Sequence, residues 1–220
     1  MDFLWVSKYS GLLLKALSMT FRLGMIAVFC GTFLGMIVGI VNTTKKFYIK
    51  PFRFVFKIYI EIFRGCPLLV QLFMVYFGLP YIGIKISLSL TTFLVFTLYS
   101  GAYIAEIVRS GIEAIPKGQW ESAQSLCLNY WQIMLFIILP QTIKLALAPL
   151  IGFYIGMIKD TSLASVIGYS ELVRGGQSIM NLTGLPFETY IIIGLCYFML
   201  CYPLSKLVNY VERRTCNDRS

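Results

Sequence analysis

Glu61 and Arg64 stand three residues apart in an otherwise apolar stretch, so they share one face of a helix. Such a pair can do one of two things. It can form a structural salt bridge, or an Arg that snorkels to the interface. Alternatively it can hold the two ends of a zwitterion, since an α-carboxylate needs a cation or free N–H groups and an α-ammonium needs a carboxylate. Gly65 and Pro67 follow at once and predict a break in the helix beside the two charges. Gln71 lies seven residues beyond Arg64, roughly on the same face, where its amide can bond a substrate or a neighbouring helix. A second polar set, Asp160-Thr161-Ser162, follows Lys159 at the close of a later apolar run. Asp160 can attract an α-ammonium or a cationic side chain, or pair with Lys159. Thr161 and Ser162 can contact substrate or cap the next helix. Glu106 is a further ionisable residue at the end of an apolar run, facing either a substrate path or a subunit interface.

Other chemistry is missing. The chain has no His, which removes Ser-His-Asp and Cys-His catalysis. Its six Cys (Cys30, Cys66, Cys127, Cys196, Cys201 and Cys216) include no C-x-x-C pair, and four lie in apolar segments as small hydrophobes. No catalytic residue, metal site or cofactor is expected. No G-x-x-x-x-G-K-[ST] occurs, so any ATP must be bound by another chain.

The elements that would position these residues follow from composition. Of 220 residues, 58% are hydrophobic and 13% charged, against about 25% charged in soluble domains. A soluble enzyme, a disordered tail and a collagen-like rod are excluded. The long uncharged runs make the bilayer the solvent and membrane lipid a partner. The net charge of +9 would suggest nucleic acid in a soluble chain. Here no polar face exists to carry a phosphate footprint, and basic residues gather in cytoplasmic loops.

A span needs about 20 apolar residues. The chain reads as an all-α polytopic membrane protein, a single domain over 1–220, with five spans at about 20–43, 54–78, 86–108, 141–158 and 188–210. Met1–Arg22 reads as an interfacial helix rather than a signal peptide. Trp131–Pro140 is too short to cross, and Pro140 and Lys144 interrupt any continuation, so a cytoplasmic amphipathic helix is expected inside a long loop, 109–140. With five spans, Lys45, Lys46, Lys50, Arg53, Arg109, Lys117, Lys144, Lys206, Arg213, Arg214 and Arg219 fall on one side. Lys8, Lys15, Lys85, Lys159 and Arg174 fall on the other. The richer side is cytoplasmic, which puts the N-terminus outside and the C-terminus inside. Gly24, Gly31, Gly35 and Gly39 predict close helix packing along the first span.

Four motifs resemble a known family. Gln119-Trp120-Glu121-Ser122-Ala123, then Leu139-Pro140, resembles the EAA loop of ABC importer permeases. That pattern is E-A-A, a Gly four residues after the second Ala, an apolar run and L-P. Ser122 replaces the first Ala, and Cys127 in the Gly place weakens the expectation of a positive φ at this turn. The stretch Glu61 to Gln71 resembles the E-x-x-R-G-T-P-L-L-V-Q signature of polar amino acid permeases, with Cys66 for Thr. Ser100 to Glu106 and Lys159 to Leu163 also resemble that subfamily, and the likeness runs from about Leu17 to Tyr210.

The resemblance implies a type I importer-like transmembrane domain in a bacterial inner membrane. It would pair with a second permease, identical or paralogous, dock a dimer of ABC ATPase subunits, and receive an amino acid from a solute-binding protein. The substrate would be a polar amino acid, basic ones among the candidates. Glu61, Arg64, Gln71, Asp160, Thr161 and Ser162 are the candidate substrate contacts. Gly118, Glu121, Ser122, Ala123, Cys127, Leu139 and Pro140 are the candidate coupling residues, with a short helix over Gln119–Leu128 ended by Asn129. Glu121 would pair with an Arg of the ATPase or cap the helix locally.

Overall fold

The computed structural model describes residues 4–44 and 50–217, and every regular element among them is helical. Lys45, Lys46 and Arg219, part of the charge asymmetry noted above, lie outside the described residues. Four helical segments are long and apolar enough to cross a membrane: Trp5–Thr43, Leu88–Glu113, Tyr130–Ile167 and Pro186–Tyr210. A fifth candidate is the broken pair α2 (Lys50–Gly65) and α3 (Leu68–Tyr81), which meet at 107°.

The glycine stripe sets the central seam. α1 (Leu4–Thr43) packs along α4 (Leu88–Glu113). A Cβ on Gly31 would stand 2.7 Å from the Ser100 Cβ, and one on Gly39 would stand 2.7 Å from the Ala105 carbonyl oxygen. The Ser100 hydroxyl donates to the Ala27 carbonyl at 2.8 Å across the same seam. Phe29, Phe33 and Ile37, on the other side of α1, are exposed. That is an apolar surface suited to lipid or to another membrane chain. The stretch expected at the interface runs into the first span without a break among the described residues, because no Pro interrupts it. The helix is continuous for 40 residues, about 60 Å at 1.5 Å per residue. Its early turns pack Trp5, Leu13 and Ala16 against Leu172, Ile179 and Ile193.

The second span is not one rod. Pro67 starts α3 with φ −58° and ψ 138°, a conformation no helix continues through. The break leaves carbonyls at the α2 C-terminus without helical partners. Gln71 supplies one: its amide nitrogen donates to Phe63 O at 2.9 Å and to Cys66 O at 2.7 Å.

Trp131–Pro140 also departs from expectation. It does not form a separate amphipathic helix. α6 (Tyr130–Ile133) passes through a π-helical turn (Met134–Ile138) into α7 (Leu139–Asp160) and a 3₁₀ turn (Thr161–Ile167). Pro140 lacks an N–H and would crowd the Phe136 carbonyl in an α-helix. The wider π turn just before it accommodates the ring and keeps the helix running. Lys144 is exposed on the outer face, so it interrupts nothing. With α4 extending to Glu113, the connection shrinks from 109–140 to 114–129, and it carries α5 (Lys117–Ser125). Asn129 does not end that helix. Its side chain accepts from Gln132 N at 3.0 Å, and its backbone N–H donates to Gln132 Oε1 at 2.9 Å, a capping box that starts α6.

The last two elements are α8 (Leu172–Thr183) and α9 (Pro186–Asn217). The fully buried Glu171 caps α8, accepting from Val173 N at 2.9 Å, Arg174 N at 2.8 Å and the Tyr197 hydroxyl at 3.0 Å. Burial pushes its carboxyl above the usual range while these three bonds oppose the shift.

Candidate functional site

The break at Gly65–Pro67 ends α2 with Arg64 against α4. Its guanidinium lies 3.4 Å from the Glu106 carboxylate and 5.5 Å from the Tyr103 ring centroid. Glu106 is held a second time. Arg109, one turn on, donates through Nε to Oε2 at 2.8 Å and through Nη2 to Oε1 at 2.5 Å. Arg109 Nη1 in turn donates to Glu113 at 2.5 Å. The i, i+3 and i+4 spacing of α4 thus builds a ladder of alternating charge, and Arg64 joins it from another helix. Two cations and two anions sum to zero. Beside them opens a cleft of about 430 Å³, with Arg64, Tyr103 and Glu106 on one side and Leu145, Ala146 and Pro149 of α7 on the other. Tyr103 is fixed from behind by stacking on Phe153, 5.4 Å between centroids.

The structure does not join Glu61 to Arg64. Glu61 points to Lys57, one turn back, at 3.7 Å, and both are mostly exposed. A pair of that kind contributes little. Gln71 is nearly buried at the helix break, its amide nitrogen donating to the Phe63 and Cys66 carbonyls. Asp160, Thr161 and Ser162 sit where α7 tightens into the 3₁₀ turn. Thr161 is fully buried and its hydroxyl donates to Ile158 O at 2.6 Å, turning back on its own helix rather than capping the next. Ser162 lends its carbonyl to the Ser165 hydroxyl at 2.6 Å. None of the three lines the Arg64–Glu106 cleft. The candidate residues therefore fall into two places. The stronger cluster includes Glu106, which the sequence had marked without assigning it a role.

The candidate coupling residues divide as well. Ala123 is buried, packed in a cluster with Ile115, Ile133 and Leu139. Its small size serves the chain's own packing. Gly118, Glu121 and Ser122 form the outward side of α5. A Cβ on Gly118 would meet nothing within 4 Å. α5 begins at Pro116 with no side-chain cap, so Glu121, in the second turn, does not cap it. Leu139 is buried beneath and Pro140 lies on the following helix, not on α5. Leu126, which sequence reasoning passed over, stands 71% exposed at the end of α5.

Cys127 is the one non-glycine residue with positive φ, +56°, among the described residues. The turn therefore takes the left-handed conformation that a glycine would occupy without strain. Cys127→Gly is expected to raise stability by about 0.5–1 kcal/mol, and Cys127→Val, β-branched in the same region, to lower it. Melting temperatures of the purified chain in detergent would check the order, and a Val variant at or above the Gly variant would contradict it.

Comparison with known proteins bears on the whole chain. Residues 31–216 match the family described as binding-protein-dependent transport system inner membrane component. The chain is 39% identical over 201 residues to a probable amino-acid ABC transporter permease protein, YckA, of Bacillus subtilis (strain 168), covering 91% of this chain and 88% of that one. It is 36% identical over 193 residues to a probable glutamine ABC transporter permease protein, GlnM, of the same organism, covering 87% and 88%. A crystal structure of an amino acid ABC transporter with histidines superposes with a TM-score of 0.88 at 39% identity, covering 97% of this chain and 99% of that one.

Proposed function

The chain belongs to the binding-protein-dependent transport system inner membrane component family, and from that membership we propose that it is the membrane half of an ATP-driven amino acid importer. The single domain, 1–220, pairs with a second permease, identical or paralogous. It lies in the bacterial inner membrane with its N-terminus outside and its C-terminus in the cytoplasm. A solute-binding protein delivers a polar amino acid to the outer side. A dimer of ATPase subunits docks on the outward side of α5 from the cytoplasm and supplies the energy; this chain hydrolyses nothing. Glutamine is the first substrate to try, given the likeness to the probable glutamine permease GlnM, with basic amino acids next.

What supports this reading is one observation: likeness to amino acid permeases extends over nearly the whole chain, 39% identity across 97% of it in the crystal structure named above. The local geometry agrees in kind. An importer needs polar groups among its helices for a polar cargo, and the Arg64 cleft holds them between α2, α4 and α7. It also needs a rigid joint outside the spans, and α5 sits on the buried Ala123 with its opposite side free. Within this reading Arg64 leads the proposed substrate set, and Glu61, Gln71, Asp160, Thr161 and Ser162, its other candidates, lie outside the Arg64 cleft. Gly118, Glu121, Ser122, Ala123 and Cys127 form the coupling set, with Leu139 and Pro140 bracing it.

The test is reconstitution. The chain is co-purified with the ATPase and receptor from its native membrane, placed in liposomes and assayed for uptake of labelled glutamine and arginine with and without ATP. ATP-dependent uptake that also requires the receptor is the expected result. Solute movement by the chain alone, without ATP, would overturn the reading.

A further inference from the structure

We propose that Glu106 is the residue that reads the substrate's α-ammonium group, with Arg64 taking the carboxylate across the same cleft. This rests on the importer reading above and assigns to Glu106 a role the sequence pattern suggested for Glu61.

The two contacts to Glu106 are unequal. Arg109 grips it through two nitrogens at 2.8 and 2.5 Å. Arg64 touches it through one, at 3.4 Å. The carboxylate is thus fixed in place and the Arg64 contact is the exchangeable one. The side chains are 40% and 24% exposed, so an incoming molecule reaches both. A carboxylate has about four acceptor positions, of which Arg109 takes two and Arg64 one. When a substrate carboxylate draws Arg64 away, the vacated position and the free one remain for an ammonium. The Tyr103 ring, 5.5 Å from the guanidinium, keeps Arg64 within reach in either arrangement.

Charge balance favours the same class of ligand. Arg64, Arg109, Glu106 and Glu113 sum to zero. A zwitterion inserted between Arg64 and Glu106 keeps the sum at zero and gives each charge an opposite neighbour. A head group that is only an ammonium or only a carboxylate leaves either Arg64 or Glu106 without an opposite charge beside Leu145, Ala146 and Pro149. The cleft volume of about 430 Å³ lies within the roughly 300–1,000 Å³ of small-molecule sites. Glu61 has no place in this arrangement, because it lies exposed on Lys57.

The proposal makes the α-amino group a condition of binding. It is tested on the permease–ATPase complex without the receptor, which would impose its own selectivity. Binding is measured for two pairs of probes, L-glutamine with glutaramate and L-arginine with 5-guanidinopentanoate. The second member of each pair lacks only the α-amino group. In wild type the amino acid is expected to bind about ten- to a hundredfold more tightly than its des-amino partner. In Glu106→Gln that gap closes, because the amino acid weakens while the analogue, no longer competing with the carboxylate for Arg64, binds at least as well. A merely structural Glu106 would weaken both probes alike, and that result overturns the proposal, as does an unchanged gap. If Glu106→Gln does not assemble, Glu106→Asp keeps the charge one methylene further back. It is expected to narrow the gap without weakening the analogue, and uniform weakening overturns the proposal. Receptor- and ATP-dependent uptake by wild type with no receptor-free binding of either pair overturns this inference and leaves the importer reading standing. Absence of both binding and uptake removes the two together.

Discussion

Gly35→Leu is expected to leave the chain unable to form a monodisperse, folded species in detergent. A Cβ at position 35 would stand 2.7 Å from the Cβ and Cγ2 of Ile104 and 2.9 Å from the Gly101 carbonyl oxygen. None of these atoms is the far end of a flexible side chain. Ile104 is fully buried, and Gly101 O is backbone. The neighbours on α4 cannot turn aside, so α1 and α4 would have to separate along the longest seam in the molecule. Inserting bulk into a packed interface costs about 1–3 kcal/mol or more, out of a total stability of about 5–15 kcal/mol. Separation would also break the Ser100–Ala27 bond and open the contacts of Gly31 and Gly39. Gly152→Ala is the control, since a Cβ there meets nothing within 4 Å. Size-exclusion profiles and melting curves would decide it. A Gly35→Leu protein that melts with wild type would mean that the α1–α4 seam does not hold the fold together.

How much of this was legible beforehand varies by physical cause. The seam was visible because small residues every four positions have few other uses in an apolar helix, and Gly31, Gly35 and Gly39 keep that spacing. The break in the second span was visible because Gly-x-Pro is a local signal, and local signals survive folding. Pro140 misleads for the opposite reason. Its effect depends on whether the preceding turn can widen, and the π turn at Met134–Ile138 does so. The ladder Glu106, Arg109, Glu113 was written in its spacing but gained meaning only when the α2 break delivered Arg64, a tertiary event that no spacing reports. Glu61 neighbours Arg64 in sequence, yet on α2 it sits with Lys57. Cys127 shows the limit most directly. Its side chain type argued against a left-handed turn, and the backbone adopts one at φ +56° because the short connection from α5 to α6 requires it.

The second large effect is expected at Gly118, with the opposite signature. Within this chain the glycine does nothing that needs a glycine. It carries no positive φ, and a Cβ meets nothing within 4 Å. Alanine there should even favour α5 slightly, by about 0.5–1 kcal/mol of helix propensity. If the outward side of α5 seats in a groove of the ATPase, its small residues, Gly118 and Ser122, are where the partner comes closest. Gly118→Trp is then expected to leave the isolated chain's melting temperature unchanged while ATP-driven uptake falls by at least about tenfold, the equivalent of some 1.4 kcal/mol of overpacking at the joint. Gly118→Ala should lie near wild type in both assays. Ala123→Trp should fail differently, lowering the melting temperature as well as uptake, because Ala123 is buried against Ile115 and Ile133. The contrast between the two tryptophans separates a surface kept small for a partner from one kept small for the chain itself. Full uptake by Gly118→Trp would place the ATPase elsewhere than on this side of α5.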